Sequence, residues 1–495
     1  MADVIVVGGG PVGLWTAAEL RRAGVAVLVL EGTEVRDARS RAVGMSASTL
    51  ETFATRGIAQ PFIDAGSVIP TGHFGASSTR LDLSVLGTRH PFSLCIPQST
   101  TETLLEKHCL DLGVSVKRGR RVIGLAQDAD GVTVRVQSPQ GHREEYRAAW
   151  VVGADGTRSV VRAQAGIGFP GLPGTQTGWL ADVRLTREPD GPRGGLGRSG
   201  SILVQSIGDG LYRVAGVDTG TIHLPPEEPP SFEQVRQWAI GLLGDDFGMH
   251  SPVWISRYGD ATRLADDFRK ERVLLAGDAA HQFFPAGGQG MNTGIQDATN
   301  LAWKLAATIK GWAPEGLLDT YGVERRPAAQ AVIDNTNAQL ALFAARTPSE
   351  FALRQVWSEA LALPELNTLW ARRVTGFADP KPDEDRYMAD PLLLDRVTHI
   401  EHDGNADGGP LTGTGVDTFA LLALDPTVTG ALATHSAPWS GRASVVSGLT
   451  ATGPQWDGVR AALIRPDARV AWVARENTDI AKDLPVALGE WAGRG

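Results

Sequence analysis

The sequence predicts an α/β chain in which a parallel sheet is wrapped by helices, a mostly antiparallel sheet is inserted within it, and a small α/β unit closes the C-terminal end. Three observations carry that reading. An apolar strand, a glycine turn and a helix follow one another at 4–22. Two further apolar runs, 150–152 and 273–276, each stop at a glycine just ahead of an aspartate. From about 166 to 269 the chain breaks into short strands with loose Gly- and Pro-rich connections. A length of 495 residues, 42% hydrophobic and 21% charged, accommodates roughly three domains. The expected boundaries are 1–165 with 270–380 for the first sheet and its helical extension, 166–269 for the inserted sheet and 381–495 for the last unit.

Val4 to Val7 reads as a buried strand, Gly8-Gly9-Gly10-Pro11-Val12-Gly13 as the turn into a helix that runs to Arg22, and Ala26 to Leu30 as a second strand closing on Glu31. This is the G-x-G-x-x-G dinucleotide fingerprint in its strand-turn-helix context. Gly8 allows the turn, Gly10 lets backbone approach a pyrophosphate, and Gly13 packs helix on strand. Glu31, followed by Gly32, is placed to accept from a ribose 2′-hydroxyl, which suits FAD or NAD and disfavours a 2′-phosphate. Arg39 and Arg41 are either solvated surface charge or donor forks for a pyrophosphate or cofactor ring.

A helix is expected over Ser46 to Arg56 and another from Ser99 through Cys109, after Ile96-Pro97-Gln98; strands are expected at Val114–Val116, Val122–Leu125 and Val132–Val136, with the basic run Lys117 to Arg121 as a solvated turn. Trp150 to Gly153 repeats the opening logic and ends in Ala154-Asp155-Gly156 before a helix at Val160. Two Asp turns and one fingerprint suggest a single dinucleotide touched from three points of one sheet. In the inserted region, strands are expected at Trp179–Leu185, Ser201–Gln205, Leu211–Asp218 and Val253–Arg257, and Ser231…Gln234 is a capping box. Arg213 and His223 are candidates to face a substrate, although a surface or structural role suits each taken alone.

The stretch 272–304 holds a short strand, then Gly277-Asp278, then the loop Pro285-Ala286-Gly287-Gly288-Gln289-Gly290, and a helical period from Ile295. A glycine loop feeding a helix N-terminus presents unpaired N–H groups to an anion or an electron-rich ring edge. A long helix follows at Leu317–Ala344, then a Pro-rich break at 380–382. His399 to Asp403 lacks the spacing of a zinc helix, so no metal is expected. The last stretch carries apolar segments at 419–424, 443–446, 461–464 and 470–473, with a hairpin at Arg465-Pro466-Asp467 and no cysteine for dithiol chemistry.

Net charge is 47 − 56 = −9, which offers no basic field for nucleic acid or an anionic membrane. No apolar run is long enough to span a bilayer and no signal segment precedes the first strand, so a cytoplasmic protein is expected. Cys95 and Cys109 are too few for a disulfide framework and are read as buried thiols.

Taken together, these motifs resemble the single-component FAD-dependent aromatic hydroxylases of the para-hydroxybenzoate hydroxylase type, and within them the bacterial polyketide-tailoring branch of angucyclinone hydroxylases and rifampicin monooxygenases. The resemblance covers nearly the whole chain. It rests on Gly8 to Gly13 with Glu31, Ser40-Arg41-Ala42, Gly72-His73-Phe74-Gly75, Pro97-Gln98, Gly153 to Gly156, Gly277 to His281, Pro285 to Asn292 and Arg465-Pro466-Asp467. It implies a Rossmann-like FAD-binding domain of the glutathione-reductase type, an antiparallel substrate domain and a thioredoxin-like C-terminal domain without redox cysteines.

Cofactor contacts are implied at Gly8, Gly10, Pro11, Val12, Gly13, Glu31, Gly32, Arg39, Arg41, Gln98, Asp155, Gly156, Asp278, Pro285, Gly288, Gly290, Met291 and Asn292, with Gly287 in the loop beside the flavin. Substrate contacts are implied at His73, Phe74, Arg213 and His223. The implied chemistry is reduction of FAD by NADPH or NADH, reaction with O2 to a flavin C4a-hydroperoxide, and transfer of one oxygen to a multi-ring aromatic polyketide, with no side chain assigned as catalyst. The expected partner is that small aromatic molecule alone, the chain being a monomer or homodimer. Inactivation of a rifamycin-type antibiotic by the same chemistry, and a flavin-binding scaffold without turnover, are the rival readings. Ser48, where relatives usually carry arginine, and the divergent segment Phe377 to Gly408 put the substrate in doubt but leave the cofactor motifs intact.

Overall fold

In the computed structural model, which describes residues 2–75, 77–382, 385–402, 411 and 415–495, the first sheet is built on β1 (Ala2–Val7), which feeds α1 (Pro11–Arg22) and then β2 (Val27–Leu30). β3 (Ser115–Lys117), β4 (Arg143–Gly153) and β5 (Val273–Leu275) complete its parallel part. The order is Arg269–Lys270, β5, β4, β1, β2, β3, with only Arg269–Lys270 running antiparallel along that path. Val4 to Val7, Val151, Val152 and Val273 to Leu275 are buried, as strands covered on both faces require. Val7 pairs with both Gly153 and Leu30, and Gly153 with Leu275, so four carboxyl ends lie in step along one edge.

β4 starts seven residues before the expected Trp150. Its first half alternates exposed and half-buried residues while pairing antiparallel with Gly131–Gln137, which pairs in turn with Arg121–Asp128. Polar alternation hid that half from an apolar-run criterion. The basic turn between β3 and Arg121 is less solvated than expected, since Arg118 pairs with Glu106 and Arg120 with Glu144.

The inserted sheet is antiparallel throughout, in the order Arg193–Gly197, Gly200–Gly208, Leu211–Asp218, Thr177–Leu185, Met249–Gly259. Helix Phe232–Leu243, with both bonds of its Ser231/Gln234 capping box formed, lays Val235 and Ala239 on one face, and Trp238 stacks on Trp179 at 4.7 Å. A three-stranded strip, Gly171–Leu172, Thr262–Leu264 and His281–Gln282, stitches this sheet to the segment after β5.

Helix α2 (Gln289–Ile309) begins six residues earlier than the periodicity predicts, because Gly290 and Gly294 lie inside it rather than in a loop. Gly294 marks close packing: a Cβ there would stand 2.5 Å from a Val12 methyl and 3.0 Å from the Gly277 Cα. α3 (Thr320–Phe343) packs alongside α2. In the C-terminal unit, a mixed sheet in the order Ala443–Val446, Phe419–Ala423, Ala461–Ile464, Val470–Ala474 is flanked by helices Thr429–Ser436 and Ile480–Ala492. Trp303 and Ala307 of α2 enter its core. The Arg465-Pro466-Asp467 turn does form the tip of a hairpin. Asp403 of the His399–Asp403 stretch, with 383–384 and the last residues of the divergent segment up to 408, lies outside the described residues. No helix among the described residues is long and apolar enough to cross a membrane.

The turn docks by charge. Arg465 donates to both oxygens of Glu324 at 2.8 Å and to Asp467, Lys304 stands 3.1 Å from Glu324, and Asn300 donates to Glu324 and Asp467. All these side chains are buried. Burial alone would raise the Glu324 and Asp467 carboxyls, but Arg465 outweighs it at both, with Lys304 adding at Glu324, and holds them below the ordinary range. Replacing Arg465 by alanine is expected to cost about 3–5 kcal/mol, because two buried carboxylates lose their partner; urea unfolding measures it. With the folded carboxyls depressed below their unfolded values near pH 4, their contribution is complete above that range and lost as pH falls through the folded values. The thermal midpoint is therefore expected to drop as pH falls below about 4, and the drop should shrink in the Arg465→Ala variant.

Candidate active site

The glycine loop is dictated by contact distances. Gly8 adopts φ +109°, and a Cβ there would lie 2.2 Å from the Ala154 carbonyl oxygen; at Gly13 it would lie 2.0 Å from the Gly8 oxygen. At Gly10 no protein atom comes within 4 Å of the Cβ position, which leaves the side from which an outside group would approach the backbone open. Pro11 opens α1 with no side-chain cap, so the positive helix end faces the same opening. Glu31, past the end of β2, accepts from Gly9 N at 2.7 Å and from Thr33 N and Oγ1 at 2.8 Å, which fixes its carboxylate beside the loop. Gly32 follows it, half-buried.

Asp278, one step beyond the β5 edge, accepts no hydrogen bond from any described residue. Enclosure by protein raises its carboxyl above the ordinary range, with His281 and Arg41 acting weakly against that, yet its side chain is open to solvent-sized groups. Arg41 is likewise exposed, and its guanidinium has no partner among the described residues. A carboxylate and a guanidinium in reach of one another's field, both unpaired and beside an open glycine loop, fit the hydroxyls and phosphates of a dinucleotide. Gln98 holds the Arg41 loop, its backbone N–H donating to Ala42 O at 2.9 Å and its Oε1 accepting from Ala42 N at 3.2 Å. Arg39 is exposed and forked onto Asp37.

Asp155 is not free. Its carboxylate accepts from Ser159 Oγ at 2.5 Å, Val160 N at 2.8 Å and Val161 N at 3.1 Å, capping the helix Val160–Gln164, and Gly156 makes the turn at φ +81°.

The last wall is the loop before α2. Pro285 is exposed, Gly287 and Gly288 take φ +69° and +64°, and α2 starts with no side-chain cap. Four side-chain amide contacts brace it. Gly75 N donates to Gln339 Oε1, Gln339 to Asn335, Asn335 to Gln289, and Gln289 to Ala286 O, at 2.9–3.2 Å. Asn292 uses its whole amide as a clamp, donating to Gly44 O and Gly288 O and accepting from Ser46 N and Thr49 Oγ1. Gly290 is half-buried and Met291 buried at the same helix start.

The substrate candidates divide. Arg213 is buried, forked onto Asp182 and donating to the carbonyls of Ser40 and Arg41; it positions the Arg41 loop and is not open to a ligand. Phe74 is a core residue, 4.5 Å from Trp370 and 5.1 Å from Trp357. His223 is exposed and makes no hydrogen bond among the described residues. His73 does suit a cavity wall: it is enclosed, its Nδ1 is unpaired, and burial lowers it to about pH 4, so the ring is neutral. Sequence reasoning missed an apolar cluster of Val217, Ile222, Phe284, Ala286, Leu340 and Ala344 where inserted sheet, loop and α3 meet. Tyr258 joins it, 5.5 Å from Phe284, its ring laid over Gly178, where a Cβ would come within 2.4 Å of it. The glycine in an otherwise apolar strand was the available signal. Ser48 is buried against Ser46 and the Gly376 turn.

A glycine loop, an acid after β2 and unpaired Asp278 and Arg41 along the carboxyl edge of a parallel sheet are the features of a dinucleotide-binding protein. The family model described as "FAD binding domain" matches residues 1–336, and that described as "Aromatic-ring hydroxylase, C-terminal" matches residues 392–495. The chain belongs to the FAD-dependent aromatic-ring hydroxylases, and is a flavin-dependent monooxygenase. It is similar to the rifampicin monooxygenase of Streptomyces venezuelae, with 38% identity over 99% of this chain and 99% of that one. Among solved structures, it is similar to the OxyS anhydrotetracycline hydroxylase from Streptomyces rimosus (38% identity, 99% of each chain, TM-score 0.86) and to CabE, an aromatic hydroxylase from angucycline biosynthesis (37%, 100% and 99%, TM-score 0.86).

Asp278→Ala is expected to purify largely without flavin, read as loss of the 450 nm band relative to protein absorbance. A fully yellow, active variant would contradict the placement of that carboxylate.

Proposed function

We propose that this protein uses NAD(P)H and O2 to hydroxylate a multi-ring aromatic polyketide in natural-product biosynthesis. The observation that carries the reading is the apolar cluster of Phe284, Ala286 and Leu340, with Tyr258 packed against it, where the loop before α2 meets the inserted sheet and α3. A flat aromatic molecule fits such walls better than a charged metabolite does. Relatives matched over nearly their whole length are named a rifampicin monooxygenase, an anhydrotetracycline hydroxylase and an aromatic hydroxylase from angucycline biosynthesis.

In this assignment Glu31 holds the ribose of FAD, the Gly8–Gly13 backbone and Arg41 its phosphates, and Asp278 with Gln98 its ribityl end. Gly287 to Asn292 would line the flavin ring. Bound FAD supplies electron transfer from NAD(P)H and activation of O2. The chain's own work is positioning. The uncapped start of α2 leaves N–H groups and a positive dipole end free, which would stabilise negative charge on a bound flavin. The Asn292 clamp and the Gln289–Asn335–Gln339 braces keep that edge rigid, and the apolar wall excludes water. Neutral His73 offers an unpaired Nδ1 to a substrate hydroxyl or carbonyl. We assign residues 1–165 and 270–380 to the FAD domain, 166–269 to the substrate domain and 381–495 to a thioredoxin-like unit.

Identity of 38% with a rifampicin monooxygenase favours a second reading, inactivation of a rifamycin by the same chemistry. One assay separates the two. NADPH oxidation by flavin-loaded protein is measured alone and with a panel of anhydrotetracyclines, angucyclinones and rifamycins, with product masses followed. A low basal rate that rises with one compound, together with gain of one oxygen atom, is the expected result and names the class. Oxidation that yields only peroxide with every compound would overturn both readings.

A further inference from the structure

We propose that the C-terminal unit governs how tightly the flavin is held, through a buried line of alternating charges that ends on the turn bearing Asp278. The inference rests on the assignment of Asp278 to the cofactor. The line starts at Asp297 on α2, whose side chain is fully buried. Its Oδ2 accepts from Gly277 N at 3.1 Å and lies 2.7 Å from His281 Nε2, so one carboxylate oxygen holds both ends of the Gly277–His281 turn. Its Oδ1 accepts from Arg325 Nε at 2.8 Å. Arg325 reaches on to Asp379 at 2.9 Å, and Asp379 to Arg469 at 2.5 Å. Arg469 belongs to the C-terminal hairpin and also donates to Leu394 O at 2.8 Å.

The signs run minus, plus, minus, plus, and each inner member has a partner on both sides. Asp297 is ionised in spite of burial because His281 and Arg325 flank it. Arg325 in turn is neutralised from the far side by Asp379. Weakening the outer pair leaves Arg325 with one carboxylate, draws it toward Asp297 and loosens that carboxylate's grip on the Gly277 N–H. Gly277 sits at φ +62°, and the turn's other anchors lie further along it: Arg162 on Ala279 O, Ala265 N on Ala280 O and the pairing of His281 with Leu264. Asp278 lies between these points with no partner of its own.

A second buried network joins the same two units and provides the control. Lys304, Glu324, Arg465 and Asp467 dock the C-terminal hairpin onto α2 and α3 but make no contact with the 277–281 turn. A purely structural role for the first line predicts that the two networks behave alike.

The experiment uses the full chain. FAD dissociation is measured by quenching of flavin fluorescence, well below each variant's melting temperature, together with the flavin reduction potential. Asp379→Asn is expected to weaken FAD binding roughly tenfold and to shift the potential, and Arg469→Lys to retain most of the affinity that Arg469→Gln loses. Lys304→Met is expected to lower the melting temperature while leaving FAD affinity within about twofold. Unchanged affinity in Asp379→Asn, or equal weakening in Lys304→Met, overturns the inference. Asp278→Ala, measured alongside, separates the two levels: if it too binds FAD normally, the cofactor assignment falls; if it alone weakens binding, only the long-range line does.

Discussion

Helix α2 is enclosed on nearly every side, so every polar side chain it carries must find a partner inside the protein. Many of the partners lie on distant segments. Asn292 takes the Gly44–Thr49 stretch, Gln296 takes Thr52 and Arg396, and Asp297 takes the Gly277 turn and Arg325. Thr299 accepts from the Trp15 indole of α1 at 2.8 Å, and Asn300 meets Glu324 and Asp467. An apolar helix in this place would be buried as well, but it would not specify where those segments stop. Burial makes each unmade bond costly, so the pairings fix the position of three loops and the C-terminal hairpin together.

The parallel register does the complementary work. Since Val7, Leu30, Gly153 and Leu275 end in step, turns separated by more than a hundred residues open on one edge. Sheet register sets where the turns emerge, and α2 sets how they are held. The edge needs both, because Glu31, Asp278 and Gly288 sit on elements that share no local sequence.

How much of this was legible follows from the same physics. The β1 loop, Glu31, the Asp278 turn and the glycine loop before α2 are all local: glycine at fixed spacing and an acid after an apolar strand are visible in a few residues. The inserted sheet and the C-terminal hairpin were legible as patterns of apolar runs and turns. What was not legible is the partner of a buried polar residue. Asp297, Asn300 and Lys304 fall on the polar side of the period Ala298, Ala302, Leu305, Ala306, and a polar stripe reads as solvent-facing until its partners, Arg325, Asp467 and Glu324, are brought to it by the fold. Arg213 stayed open between a substrate contact and a structural role for a related reason: Asp182 stands directly opposite on the paired strand, a relation that only the register supplies.

That pair also explains how the inserted sheet is kept from behaving as an independent body. Its forked guanidinium is neutralised by Asp182 within the sheet and still has two N–H directions left, which reach the Ser40 and Arg41 carbonyls of the first unit. A lysine could balance the charge but not make the second contact in the same plane. The free guanidinium of Arg41 therefore sits on a backbone held by Arg213 from one side and by Gln98 from the other. The two arginines divide by burial: the buried one fixes geometry, and the exposed one leaves its donors uncommitted.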